Sequence, residues 1–439
     1  MITDFPSAPL PLPSAEEVAS ELAALGGEAL IPKELRRTLF PVITKEDVFN
    51  LMLSQRRAPE KVVADFAEAY RSYVGAAYAL PTASGTSSLH LALVGAGVQP
   101  GDEVIVPAFT FIATAQAVVA AHAIPVFVDI DPRTYCMDPA AAAAAVTDRT
   151  RAIMPVHVHG LPADVPALRA LADKHGIALV EDASHAHSAR IGDRVAGSFG
   201  DAAGQSLMAD KNFPLGGEGG IAFFATEEAH SRAAEYTVRH GIDYGMSWVA
   251  AAFGHSQLER LPYYDEIRAR NSRLIADTLN STGLFRAPYV PEGHVHAYNM
   301  YRITLLPEAV GLDDLPVWAV KEAVHELLVA EGVPAREWQN TPIPCHLPFV
   351  HRAGFGNGYP FTLNPGAVRD HRPEDFPATL AMLDSTLVLC RELRSPVEYE
   401  RALRYADAFT KVARRPDAIR KLVEAGDYRR PYEKAARLG

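Results

Sequence analysis

Ile177-Ala-Leu-Val-Glu-Asp182 is a short apolar run closed by two carboxylates. It reads as a buried parallel strand, apolar on both faces, which places the chain among α/β folds. Open α/β sheets bind ligands beyond the carboxyl ends of their strands, where Asp182 stands. A buried carboxylate is costly unless it meets a positive partner. The protonated nitrogen of a pyridine ring is one such partner, and a helix cap or salt bridge is the simpler alternative.

Three neighbouring segments bear on that choice. Ala83-Ser-Gly-Thr-Ser-Ser88 follows the apolar Ala76-Ala-Tyr-Ala-Leu80 and opens a helix beginning Leu89-His-Leu-Ala. Its small residues leave N–H groups and hydroxyls at a helix N-terminus, where Ser84, Gly85 and Thr86 could cradle a phosphate or act as ordinary caps. Val104-Ile-Val-Pro-Ala-Phe-Thr-Phe-Ile-Ala-Thr114 runs from a strand into a helix near Thr110. Phe111 at that junction is either core or a plate for a flat ring. Ser206-Leu-Met-Ala-Asp-Lys-Asn-Phe-Pro-Leu-Gly-Gly-Glu-Gly-Gly220 sets Lys211 between a polar stretch and a glycine-rich turn. A lysine there is either solvated or a buried amine able to attack a carbonyl. Together, a phosphate cradle, an acidic strand end, an aromatic plate and an amine are what pyridoxal phosphate requires.

With these residues in view, the chain resembles the DegT/DnrJ/EryC1/StrS family of aminotransferases, from about Leu22 to about Ala413. The most specific stretches are Pro100 to Thr114, Ile124-Pro-Val-Phe-Val-Asp-Ile-Asp-Pro132, Met154-Pro-Val-His-Val-His-Gly-Leu-Pro-Ala-Asp164, Val180 to Ala189, and Gly216-Gly-Glu-Gly-Gly220. The resemblance implies fold type I, with a large mainly parallel-sheet domain and a smaller α+β domain, and a homodimer. It implies that Lys211 holds the cofactor as a Schiff base and Asp182 pairs with the pyridinium nitrogen. Gly85, Thr86 and Ser206 would bind the phosphate, Phe111 would stack on the ring, and His185 would lie near it. Family members acting as dehydratases carry histidine in place of the lysine, so Lys211 favours amino transfer.

Four positions depart from the family pattern, among them Gly245 for an arginine and Trp248 for a glutamate. Gly241-Ile-Asp-Tyr-Gly-Met-Ser-Trp248 has Asp243 where the family has an asparagine reaching the neighbouring subunit's phosphate. A carboxylate beside a phosphate is repulsive. Asp210, directly before the lysine, is also unusual and bears on how Lys211 is held.

At 439 residues, 48% of them apolar, the chain suffices for two domains. No apolar run is long enough to span a bilayer, Met1-Ile-Thr-Asp-Phe-Pro shows no signal-peptide pattern, and a net charge of −11 argues against nucleic-acid binding. Cys136, Cys345 and Cys390 form neither a disulfide framework nor a metal pattern, which fits a reducing cytoplasm. His157 and His159 would share one strand face; as a metal site they lack a third ligand, and packing or a place beside substrate is the better reading.

The alternation of elements divides the chain into an N-terminal arm (1–57), a large cofactor domain (58–255), a linking helix with a small domain (256–415) and a basic helical tail (416–439). Arg352-Ala-Gly-Phe-Gly-Asn-Gly-Tyr-Pro-Phe-Thr-Leu-Asn-Pro365 reads as a long loop, a candidate wall of the acceptor pocket or a plain surface excursion. The activity expected is transfer of an amino group from glutamate or glutamine to a keto-sugar or keto-cyclitol, in amino-sugar or antibiotic-type biosynthesis. The alternatives are another pyridoxal-phosphate reaction (decarboxylation, elimination or condensation) and a non-catalytic accessory subunit.

Overall fold

Strand and helix alternate because glycine and proline punctuate the apolar runs. Helix Pro59–Val74 shows the pattern: proline opens it, Val62, Phe66, Tyr70 and Val74 recur at helical spacing on its buried face, and Gly75 closes it at φ 79°. The computed structural model describes residues 14–33, 43–394 and 399–435. Residues 1–13 and 34–42 of the expected arm, 395–398 of the expected small domain and 436–439 of the expected tail lie outside them.

Seven strands form the main sheet: β1 (Tyr78–Thr82), β2 (Glu103–Pro107), β3 (Ile124–Val128), β4 (Thr150–Ile153), β5 (Ala178–Asp182), β8 (Ala202–Ser206) and β9 (Gly220–Phe224). The short β6 (Arg190–Ile191) and β7 (Arg194–Val195) pair with each other, and β11 (His294–Val295) joins β6. The order is β1-β9-β8-β5-β4-β2-β3, parallel from β8 through β3, with β9 antiparallel to both neighbours. Strands β2, β8 and β5 therefore end on the same side, and the loops leaving them converge.

The 34-residue helix Trp248–Ser281 leads to a second sheet of β10 (Phe285–Arg286), β12 (Tyr301–Leu305) and β13 (Thr386–Leu389). The core there collects Ile275 and Leu279 of the long helix, Ile303, Val320, Leu327 and Phe409. Leu22, Leu30 and Ile31, from the segment assigned to an arm, are buried in it, as are Ala418 and Ile419 from the segment assigned to the tail. A fully buried ion pair, Lys411 Nζ to Glu331 Oε1 at 3.0 Å, stitches these pieces together. Glu331 also accepts from the amides of Ala23 and Leu30, at 2.8 and 3.1 Å, and Lys411 donates to the Glu28 carbonyl at 3.1 Å. Removing one partner leaves an uncompensated buried charge. Lys411→Met is expected to cost about 3–5 kcal/mol in a denaturant titration; a loss under about 1 kcal/mol, the range of exposed pairs, would show that the stitch is unimportant.

The loop 352–365 does not wall the cavity beyond the strand ends. Asn364 Nδ2 donates to Glu103 Oε1 at 2.9 Å, and Glu103 is the first residue of β2, so the loop is pinned at the opposite end of that strand. Phe355 and Tyr359 pack 5.2 and 5.4 Å from His122, just before β3.

Candidate active site

The loops after β2, β5 and β8 enclose a cavity of about 260 Å³ lined by Gly85, Thr86, Phe111, Asp182, His185, Ser206 and Lys211. All seven residues singled out in the sequence thus share one wall. A larger groove of about 420 Å³, containing Arg151, Arg169 and Arg232, opens elsewhere and holds none of them.

Helix Gly85–Gly95 points its N-terminus at this cavity. Ser84 and Ser87 cap each other, Ser84 Oγ accepting from the Ser87 amide at 3.1 Å and Ser87 Oγ from the Ser84 amide at 3.0 Å. A Cβ on Gly85 would fall 2.5 Å from Ser206 Cβ, so only glycine lets the helix start approach the end of β8. The first-turn amides and the Ser206 hydroxyl thereby share one anion-binding corner. The Ser206 main chain is held from both sides: its amide donates to Ser184 Oγ at 3.2 Å and its carbonyl accepts from His187 Nε2 at 2.8 Å.

Asp182, 4% exposed, ends β5. Its Oδ2 accepts from Thr114 Oγ1 at 2.7 Å and its Oδ1 from the Ser184 amide at 3.1 Å. A second hydroxyl, on Thr110, lies 2.8 Å behind Thr114. Each carboxylate oxygen keeps a lone pair for a further donor from the cavity. The neighbouring Glu181, buried on the other face of β5, is consumed by the amides of Gly197, Phe199 and Gly200 and by His157 Nε2 at 2.8 Å.

Lys211 sits in the turn between β8 and β9, its amide donating to the Met208 carbonyl at 2.9 Å. Burial pulls its amine down from 10.5 to about 8, with the nearby Arg394 helping and Asp182 opposing. The neutral amine is the nucleophile, so its share rises as pH rises through about 8. Capture of added pyridoxal phosphate should accelerate about tenfold between pH 7 and pH 9, followed by stopped-flow absorbance. A flat profile would mean that the amine is already neutral at pH 7.

Phe111 presents a half-exposed ring to the cavity. His185 is buried and held neutral, chiefly by burial and next by Lys211, and its Nδ1 accepts weakly from the His159 amide at 3.4 Å. Trp338 and Met300, brought from the second sheet's region, complete the lining, and Trp338 packs edge-on against His185 at 5.7 Å.

His157 and His159 do not share a strand. They lie at a 3₁₀ turn, Val158–Gly160, with His159 at φ 57°. The His157 ring is spent between Glu181 and the Ala163 amide, and the His159 ring packs on Trp338 and Arg302. Among the described residues no group of three His, Cys, Asp or Glu could hold a metal. Asp243 accepts from the Gly245 amide at 2.8 Å, folded onto its own turn. The adjacent Tyr244 carbonyl accepts from the Ala83 amide at 2.8 Å, so the segment braces the start of the phosphate corner from behind.

Residues 44–352 match the DegT/DnrJ/EryC1/StrS aminotransferase family. This chain belongs to that family. It is a pyridoxal-phosphate-dependent aminotransferase by membership. Among curated relatives it is 37% identical over 320 residues to the UDP-N-acetyl-3-dehydro-alpha-D-glucosamine 3-aminotransferase of Acidithiobacillus ferrooxidans, covering 70% of this chain and 80% of that one. It is 38% identical over 291 residues to the L-glutamine:2-deoxy-scyllo-inosose aminotransferase of Streptoalloteichus tenebrarius, covering 61% and 68%. Of solved family structures, 3-amino-5-hydroxybenzoic acid synthase superposes with a TM-score of 0.72 at 27% identity, covering 88% of this chain and 98% of that one. DesI, solved with its TDP-sugar product, gives 0.70 at 26%, covering 95% and 98%.

The residues present fit the cofactor. The Gly85–Ser206 approach builds the anion corner, Asp182 offers a buried acceptor, and Lys211 carries an amine with a lowered pKa in the same cavity. No helix among the described residues is long and apolar enough to cross a membrane.

Proposed function

We propose that this chain moves the amino group of glutamine or glutamate to a keto-sugar or keto-cyclitol, in the assembly of an amino sugar or an aminocyclitol antibiotic. The observation that carries the reading is the convergence of Lys211 and Asp182 on one cavity at the strand ends. The names of the relatives support the substrate class, since they take a dehydro-amino sugar nucleotide or a keto-inositol, the latter with L-glutamine.

When bound, pyridoxal phosphate supplies an electron sink for the bond broken at the amino carbon. Gly85, Thr86 and Ser206 would hold its phosphate, Phe111 would cover one ring face, and Lys211 would bind it through its amine. Asp182 would keep a proton on the ring nitrogen, and the Thr114–Thr110 hydroxyls behind it hold the carboxylate in place. Lys211 Nζ, once free, would take the proton from the donor's amino carbon and return it two bonds away, across the amino nitrogen. His185, held neutral, would border the ring without adding charge. Thr110, Phe111 and Trp338 line the same cavity.

The reaction is proposed for the cytoplasm and for a homodimer. Exposed Val48, Phe49, Met52 and Leu53 on helix Lys45–Ser54, with exposed Val249 lining one groove with Leu51 and Ser54 of that helix, give an apolar strip suited to a second copy. Light scattering that returns a single-chain mass would remove the dimer. The activity itself is tested by titrating the protein, loaded with pyridoxal phosphate, with glutamine and then glutamate. Bleaching of the visible band to the amine form establishes the donor half-reaction. A band that resists both donors moves the weight to another reaction on the same fold.

A further inference from the structure

Lys211 must deliver one atom, Nζ, to a fixed place in the cavity, and it does so from the end of a flexible four-carbon stem. A misplacement of about 1 Å at a reacting group can cost roughly 10²-fold in rate. The firmness of the main chain on either side of the lysine therefore sets how well the amine is aimed.

Both chain neighbours of Lys211 are tied to one segment, residues 297–299, which leads into β12. On the N-terminal side the Asp210 carbonyl accepts from Arg394 Nη1 at 2.6 Å, and Arg394 Nη2 donates to the Asn299 carbonyl at 2.5 Å. On the C-terminal side Asn212 Nδ2 donates to the Ala297 carbonyl at 2.7 Å. The same segment fastens the turn whose His159 amide faces His185: the Ala297 amide donates to the Gly160 carbonyl at 2.8 Å, and the Met300 amide to the His159 carbonyl at 3.1 Å. Lys211 and His185 thus take their places from one support.

Asn212 is fully buried, and among the described residues its Oδ1 finds no hydrogen-bond partner. A buried acceptor left unpaired is a cost to the fold, one that an apolar side chain like that of the adjacent Phe213 avoids. Nor does the Ala297 carbonyl depend on Asn212, because Arg268 Nε donates to it as well, at 3.0 Å. Packing alone gives no reason for an amide at this position. What its one bond does is fix the chain directly after the lysine.

We propose that Asn212 is a positioning residue for the Lys211 amine: its bond to Ala297 holds the C-terminal side of the lysine turn as Arg394 holds the other, so that Nζ is presented at one place in the cavity. The assignment rests on the reading of Lys211 as the amine that binds the cofactor, and adds what aims it. The phosphate corner is independent of this bond, since the approach of Gly85 to Ser206 builds it.

The test follows capture of added pyridoxal phosphate by stopped-flow absorbance over a range of cofactor concentrations, in wild type, Asn212→Leu and Asn212→Ala. The half-saturating concentration reports the non-covalent complex at the phosphate corner, and the limiting rate reports attack by the amine. Both variants should lower the limiting rate by roughly 10–100-fold while moving the half-saturating concentration by less than about threefold. They should also stay folded in a thermal melt, because Arg268 still satisfies the Ala297 carbonyl. A limiting rate near wild type in either variant would overturn the assignment, as would equal changes in the rate and the half-saturating concentration. Unfolding of both variants would make Asn212 a residue of the fold alone and overturn it too. Wild-type protein with no capture phase would instead overturn the reading of Lys211, and this assignment with it.

Discussion

Lys211→Ala abolishes the visible absorbance change that pyridoxal phosphate produces on binding the wild-type protein, and lowers transamination by roughly 10⁴-fold or more. The size follows from the two tasks the amine would perform: it binds the cofactor, and it carries the proton between the two carbons on either side of the amino nitrogen. Among the described residues no other lysine or arginine lines the cavity, and the buried His185 is held neutral with Nδ1 facing a main-chain amide, so no second amine is at hand to replace it. The phosphate corner does not depend on Lys211, because it is built from the start of helix Gly85–Gly95 and the end of β8. The variant should therefore still bind the cofactor without a covalent link, visible as quenching of Trp338, which lines the same cavity. An unchanged spectrum would remove Lys211 from its role. Borohydride treatment followed by peptide mapping would then show which amine had been used.

Asp182→Asn is the second large effect, and it separates binding from chemistry. Asparagine keeps the shape of the side chain, and its partners can adapt. Thr114 can turn its hydroxyl to donate to Thr110 and accept from the new amide, so the hydrogen bonds behind the residue reverse without loss. What asparagine cannot do is hold a proton on the ring nitrogen by charge. The half-reaction with glutamine should slow by roughly 10²–10³-fold, with cofactor affinity changed far less. Rapid-mixing absorbance reads the first quantity and equilibrium titration the second. Near-normal turnover would leave Asp182 as a structural end of β5 and nothing more.

The α/β character was legible because β5 is apolar on both faces and because strand, glycine turn and helix repeat from residue 59 onward. The seven site residues were legible only as a set, since each has an ordinary alternative that the structure alone can weigh. Gly85 shows why: its need for the absence of a Cβ comes from Ser206, 121 positions further on. The two carboxylates of β5 look equivalent in sequence, yet the alternation of a strand sends Asp182 to the cavity and Glu181 to a cluster of amides. Thr114 went unnoticed because a threonine in a helix carries no sign of the carboxylate it will meet. The histidine pair was misread as a strand because Val156-His-Val-His159 alternates as strands do. The chain instead turns at His159, at a positive φ that its sequence does not announce. For the loop 352–365, glycine and proline marked irregularity correctly, but Asn364 carries no hint that its partner is Glu103, at the far end of β2.

The stitch between Glu331, Lys411 and the amides of Ala23 and Leu30 sets the order in which this protein can be completed during synthesis. Residues 22–31 leave the ribosome well before residues 275–333 and 405–419, which the core that buries them also needs. The main sheet, closed by residue 224, can form while the early segment waits with Leu22, Leu30 and Ile31 uncovered. That interval spans about 380 residues of translation, or roughly 20–80 s at ordinary elongation rates. Until residues 275–333 emerge, the nascent chain carries an apolar segment whose partners in this core are not yet made, which makes it a natural client for a chaperone.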